Sequence, residues 1–145
     1  MAMPFTPPPV AMFARRSESL MVDACRIERR VVDASGQPVY APGPDRHLTE
    51  SWELVYEGRC KVRASSQQTS SAEAGEVVAQ VSHTILDLPV SDAASGLVRA
   101  GDRATLTECR FDPANVGRVL TVKRDVPRTY PVERRLACEE VSGVG

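Results

Sequence analysis

Two histidines, His47 and His83, and four cysteines, Cys25, Cys60, Cys109 and Cys138, hold the chain's capacity for metal or nucleophilic chemistry. The cysteines lie 35, 49 and 29 residues apart, so none forms the C-x2-4-C pair that a zinc site needs. Each sits among strand-forming residues, as in Arg59-Cys60-Lys61-Val62 and Leu136-Ala137-Cys138. They read as reduced, buried hydrophobes rather than two disulfides, because no export signal places the chain in an oxidising compartment. His83 falls in a β-rich run and His47 in a Pro/Gly-rich loop, each without a partner nearby in sequence. No G-x-S-x-G, H-E-x-x-H, Walker-type or G-x-G-x-x-G pattern occurs. Glu139 and Glu140 are adjacent on a strand, so they face opposite ways and cannot share acid–base work. These residues give no catalytic constellation, and the expectation is a protein that is not an enzyme and carries no metal or cofactor.

Binding to nucleic acid through phosphates is equally unsupported. The 145 residues carry a formal net charge of −1, whereas phosphate binders show a basic surplus. Arg15-Arg16, Arg29-Arg30 and Arg134-Arg135 are isolated pairs near Glu18, Glu28 and Glu133, with no aromatic residues interleaved to stack on bases. The basic residues are 16 Arg and only Lys61 and Lys123, a bias that a GC-rich genome explains. No apolar run approaches the ~20 residues of a membrane-spanning helix. Residues 1–13 lack the basic stretch and apolar core of a secretion signal, so synthesis and residence in the cytoplasm are expected.

The elements that must carry these residues are mostly strands. The chain has 19 Val against 9 Gly and 11 Pro, and only 5% aromatics, so an aliphatic β-core punctuated by turns is expected. Residues 1–19 read as an N-terminal arm: four prolines between Pro4 and Pro9, then a short helix over 10–19 with Val10, Phe13 and Ala14 on one face. Residues 20–141 read as one all-β domain of roughly six strands in a small barrel, and 142–145 as a frayed tail. Met21, Asp23, Cys25 and Ile27 alternate with Val22, Ala24, Arg26 and Glu28. Asp33 to Gly36 signals a turn, and 41–51 an irregular loop. Trp52 to Val62 reads as a strand with a bulge or turn at Glu57-Gly58. Further strands are expected over 76–88, 103–110, 116–126 and 132–141, with a polar connection over 91–101. Asp112-Pro113-Ala114-Asn115 reads as one helical turn with Asp as cap and Pro at its first position.

The Ser/Gln-rich stretch 64–76 is the most polar in the chain and reads as a flexible loop. From Ser65 to Glu76 it has no basic residue and two acids, Glu73 and Glu76. Such a segment could line a channel carrying DNA without gripping phosphates. Gln67, Gln68, Glu73 and Glu76 are therefore the candidate channel-loop residues.

Several segments, in order, carry a family likeness. They are Leu20-Met21-Val22-Asp23-Ala24-Cys25-Arg26-Ile27, Tyr56-Glu57-Gly58-Arg59-Cys60-Lys61-Val62 and Ala74-Gly75-Glu76 ahead of Leu88-Pro89-Val90. Then follow Val98-Arg99-Ala100-Gly101-Asp102, Asp112-Pro113-Ala114-Asn115-Val116-Gly117-Arg118 and Arg134-Arg135-Leu136-Ala137-Cys138-Glu139-Glu140. In this order the chain resembles the head-to-tail stopper proteins (head-closure or head-completion proteins) of long-tailed phages, above all those infecting actinobacteria. The resemblance implies a structural virion protein, assembled in the host cytoplasm and located at the head–tail neck. It implies a homo-oligomeric ring, most often a hexamer, that closes the head after DNA packaging and offers the tail a docking face. The implied partners are an adaptor or portal-side neck protein, a tail-terminator or tail-tube protein, and packaged DNA passing through without sequence-specific contact. Another neck or tail-terminator ring protein is the nearest alternative, and a small ligand-binding β-barrel the more distant one.

Overall fold

The inward-facing residues come in pairs two apart, one pair from nearly every long strand, which is how a closed β-barrel fills its interior. In the computed structural model, which describes residues 9–64, 70–74, 77–129 and 131–143, these pairs are Cys25 and Ile27, Leu86 and Leu88, Ala104 and Leu106, Leu120 and Val122, and Leu136 and Cys138, all buried. Their strands are β1 (Asp23–Arg30), β6 (Val77–Leu88), β7 (Arg103–Glu108), β8 (Val119–Asp125) and β9 (Arg134–Gly143). β4 (Trp52–Ala64) contributes Tyr56 and Cys60, with Gly58 between them. A Cβ at Gly58 would stand 3.0 Å from the Tyr56 hydroxyl, so glycine makes room for the one aromatic ring of the core among the described residues. That hydroxyl donates to the Arg59 carbonyl at 2.6 Å, and burial pushes the phenol's pKa up.

Six antiparallel strands close the barrel in the order β4-β1-β7-β8-β9-β6, and β6 returns to β4 through Thr84–Asp87 against Lys61–Ala64. Register shifts at Ile27/Glu28, Ala24/Cys25 and Val122/Arg124 bend the strands as closure demands. The bulge on β4 therefore falls at Val55, opposite Ile27/Glu28, and not at Glu57-Gly58. Glu57 and Gly58 stay in register with Arg26 and Cys25, because glycine here relieves crowding inside the barrel rather than turning the chain.

Outside the barrel, α1 (Val10–Ser19) occupies the span that its apolar spacing indicates. Asp112 caps a 3-10 turn over Pro113–Asn115, its side chain accepting from the Ala114 amide. The polar connection 91–101 also contains a 3-10 turn, Ala93–Leu97, capped by Asp92 and burying Ser95. Residues 41–51 are not irregular: β2 (Tyr40–Pro42) and β3 (Leu48–Glu50) pair as a hairpin around Gly43–Arg46. Pro42 fits there because both strands are edges, and Pro44 lies in the turn between them.

Candidate assembly surface

Charged residues that continue the inward phase of the strands close both ends of the barrel. Beyond Cys25 and Ile27 the same face of β1 presents Arg29, whose guanidinium grips Asp102 at 2.9 and 3.0 Å and the Leu97 carbonyl at 2.7 Å. Asp102 is buried and also accepts the Arg99 amide at 2.8 Å. At the other end Arg118 meets Glu140 at 3.0 Å and Asn115 at 2.9 Å. The cavity beside Arg118 and Glu140 holds only about 60 Å³, far below the ~300 Å³ at which ligand pockets begin. The barrel interior is packed at this end, and the larger concavities are open ones on its outside, about 530 Å³ beside Tyr56, Arg59 and Asp92 and about 380 Å³ beside α1.

One outer face is built around a buried carboxylate. Asp87 stands in register with Lys61 on β4 and Arg135 on β9, and its side chain is fully buried. Arg63 approaches it at 2.8 Å, Arg135 at 3.5 Å and Lys61 at 3.8 Å. Arg135 also reaches Glu133 at 2.9 Å, and Glu133 takes Arg128 at 3.0 Å and the Ser17 hydroxyl of α1 at 2.8 Å. Burial alone would raise the Glu133 pKa, but the Ser17 hydroxyl and the two arginines outweigh it and hold the carboxyl below its ordinary value.

Through these contacts α1 is tied down at its C-terminal end. Glu18 meets Arg59 at 3.9 Å and accepts the Ser91 amide at 3.3 Å. Yet no residue of α1 is buried. Val10, Ala11 and Ala14 line one side of a groove of about 380 Å³ whose other side is Val90 and Pro131, and Met12 and Phe13 are exposed.

The second outer feature is an arm, residues 31–51, between β1 and β4. Its base is held by backbone bonds joining Val31, Val39 and Ser51, and its first turn closes at Asp33–Gly36, where Gly36 takes a φ of 83°. The Ser35 hydroxyl and the Gln37 and Ser35 amides hold the Asp33 carboxyl below its ordinary pKa. Trp52 stands at the foot of the arm with Arg103 stacked 3.7 Å from its ring centre and Arg30 at 5.4 Å. No residue of the arm is buried, and Val32, Tyr40 and Leu48 are exposed.

The candidate channel-loop residues divide. Gln67, Gln68 and Glu76 lie outside the described residues. Glu73 does not sit in a loop: it belongs to β5 (Ser70–Ala74) and pairs with Val78 of β6. The polar composition of 64–76 misled because backbone pairing along β6 needs no apolar side chains. β6 uses Thr84–Asp87 to close the barrel and Val77–Val81 to pair β5, so the β5–β6 hairpin continues beyond the closed wall.

The other singled-out residues are dispersed. His83 lies 3.8 Å from Glu139, which also meets Lys123 at 3.4 Å, while Glu140 turns to Arg118. His47 is exposed at the arm's tip. All four cysteines are free and buried, and burial pushes the Cys138 thiol up to about 12. Among the described residues no group of three or more His, Cys, Asp or Glu side chains is placed to hold a metal ion, and no helix is long and apolar enough to cross a membrane. Sequence reasoning missed Asp87, Asp102 and the arm. The signal for Asp87 was a carboxylate between Leu86 and Leu88 at strand alternation.

No curated protein and no solved structure matches the chain. One family model does, over residues 13–139, which takes in α1 from Phe13, the arm and the barrel strands through Glu139. With that span matched, the chain belongs to a family of unknown function, DUF6093.

Proposed function

We propose that this chain is a ring-forming structural protein of the phage neck, a head-to-tail stopper that closes the filled head and receives the tail. The observation that carries the reading is a division of labour in the fold. The barrel is packed and closed by ion pairs at both ends, while α1 and the arm project from it without burying a residue of their own. A domain built to hold a small ligand keeps a cavity; a domain built to join copies of itself and its neighbours keeps projections. The six segments resembling stopper proteins supply the rest, since they span the barrel from β1 to β9.

In this reading the six-stranded barrel is the ring's building block, and the axial channel lies between copies rather than through any one of them. The β5–β6 hairpin, carrying Glu73 and no basic residue between Ser70 and Ala74, suits a lumen that must release DNA phosphates. The test is removal of the gene from the phage that encodes it. Filled heads that leak DNA and lack tails are expected. Normal tailed, infectious particles would overturn the proposal.

A further inference from the structure

We infer that the arm of one copy docks onto the α1 face of the next copy, so that a second copy of this chain is the partner both projections lack. The inference rests on the ring reading and deepens it by naming the two surfaces that meet. Neither projection is self-sufficient. An isolated helix shorter than ~12 residues is marginal in water, and α1 has 10. A lone two-stranded hairpin is marginal as well, and β2–β3 is one. Each therefore gains from a surface that the single chain does not provide.

The apolar parts complement each other. The arm offers Tyr40 at 55% and Leu48 at 68% exposure on paired strands. The α1 face offers the groove between Val10, Ala11 and Ala14 on one side and Val90 and Pro131 on the other. Burying these side chains would remove apolar surface from water once per joint in a closed ring.

Charge selects the same pairing. At the groove itself Arg15 and Glu18 balance, but the wider face to which α1 is tied carries Arg15, Arg16, Arg59, Lys61, Arg63, Arg128 and Arg135 against Glu18, Asp87, Asp92 and Glu133, an excess of three positive charges. The arm carries Asp33, Asp45 and Glu50 against Arg46, and with Glu50 held by Arg30 at its foot an excess of one negative charge is left. A chain with a net charge of −1 thus holds a basic face and an acidic arm on separate elements. Opposite potentials on two different surfaces of one subunit steer head-to-tail association, and a head-to-tail interface makes a ring where its rotation closes, not a two-fold dimer. The acids on the barrel wall are less suited to the role. Glu57 and Glu28 already meet Arg26 and Arg103 of their own chain at 2.8 and 3.7 Å.

The test places a photo-crosslinking benzophenone amino acid at Leu48 in the full-length chain. The product is read by native mass spectrometry and by peptide mapping of the crosslinked species. Covalent oligomers whose crosslinks join the arm to residues 10–18, 59–63 or 128–135 of another copy are expected. Leu48→Asp, at an exposed position that leaves the barrel intact, should weaken association at least tenfold, with unfolding unchanged as its folding control. Closed oligomers whose crosslinks land on a different surface would overturn this inference and leave the ring standing. A chain that stays monomeric at every concentration, without intermolecular crosslinks, would overturn both. Efficient crosslinking to a different protein, added as purified neck components, with none to a second copy would overturn the inference alone.

Discussion

Replacing Asp87 by Asn removes a charge while keeping the side chain's shape, which isolates what the carboxylate does. Asp87 is fully buried beneath Lys61, Arg63 and Arg135, at 3.8, 2.8 and 3.5 Å. Removing one partner of a buried ion pair costs about 3–5 kcal/mol, because the opposite charge stays desolvated and uncompensated. Here the cations keep between 25% and 40% of their side chains in water, so they can rehydrate and the cost falls to about 2–3 kcal/mol. The mutual repulsion of three cations, left with only Glu133 nearby, keeps it from falling further. For a chain of this size that loss lowers Tm by about 5–10 °C. Urea unfolding followed by circular dichroism reads the free energy, and a thermal scan reads the midpoint. An Asp87→Asn variant within about 0.5 kcal/mol of the parent would refute the reasoning, since surface substitutions alone produce changes that small.

Two further outcomes follow from the same physics. The depressed pKa of Glu133 means that its stabilisation is fully present above the ordinary glutamate value of 4.5 and disappears as pH falls through the lower folded value. The stability difference between the parent and Glu133→Gln should therefore be constant at neutral pH and vanish in acid, as read by urea unfolding across the pH range. A difference that grows on acidification would contradict it. The four buried thiols should resist a thiol reagent at pH 8 in the native state and react together on unfolding, because burial raises Cys109 and Cys138, and the hydrogen bond with Cys25 together with burial raises Cys60. Rapid native labelling of any one of them would contradict their placement inside the wall.

Much of the fold was legible where side chains report burial directly. The alternation around Cys25 and Ile27, and around Ala104 and Leu106, gave strands whose inner faces are the core. Pro113 after Asp112 gave a capped turn; of Val10, Phe13 and Ala14, read onto one face of α1, Val10 and Ala14 line its contact side with Ala11 while Phe13 is exposed. What escaped were elements held by backbone or by charge. β5 pairs along β6 with Ser, Ala and Glu, and β2–β3 pairs at exposed edges with proline in it, so composition signalled loops in both. Arg29 and Asp102 are 73 residues apart, and only the barrel's closure brings them into contact. Asp87 falls inside the strand expected over 76–88, but its cross-strand partners Lys61 and Arg135 lie 26 and 48 residues away. The candidate site follows the same division. The Ser/Gln segment was visible as a composition anomaly, whereas the arm and the α1 face emerge only when burial is known.

The central claim is that copies of this barrel form a closed ring at the junction of phage head and tail. Cryo-electron microscopy of the neck of intact particles tests it most directly. Several symmetry-related copies of this chain are expected around the DNA channel, between the portal-side adaptor and the tail, each with its packed barrel in the ring wall. A neck in which the chain appears once, or not at all, would contradict it.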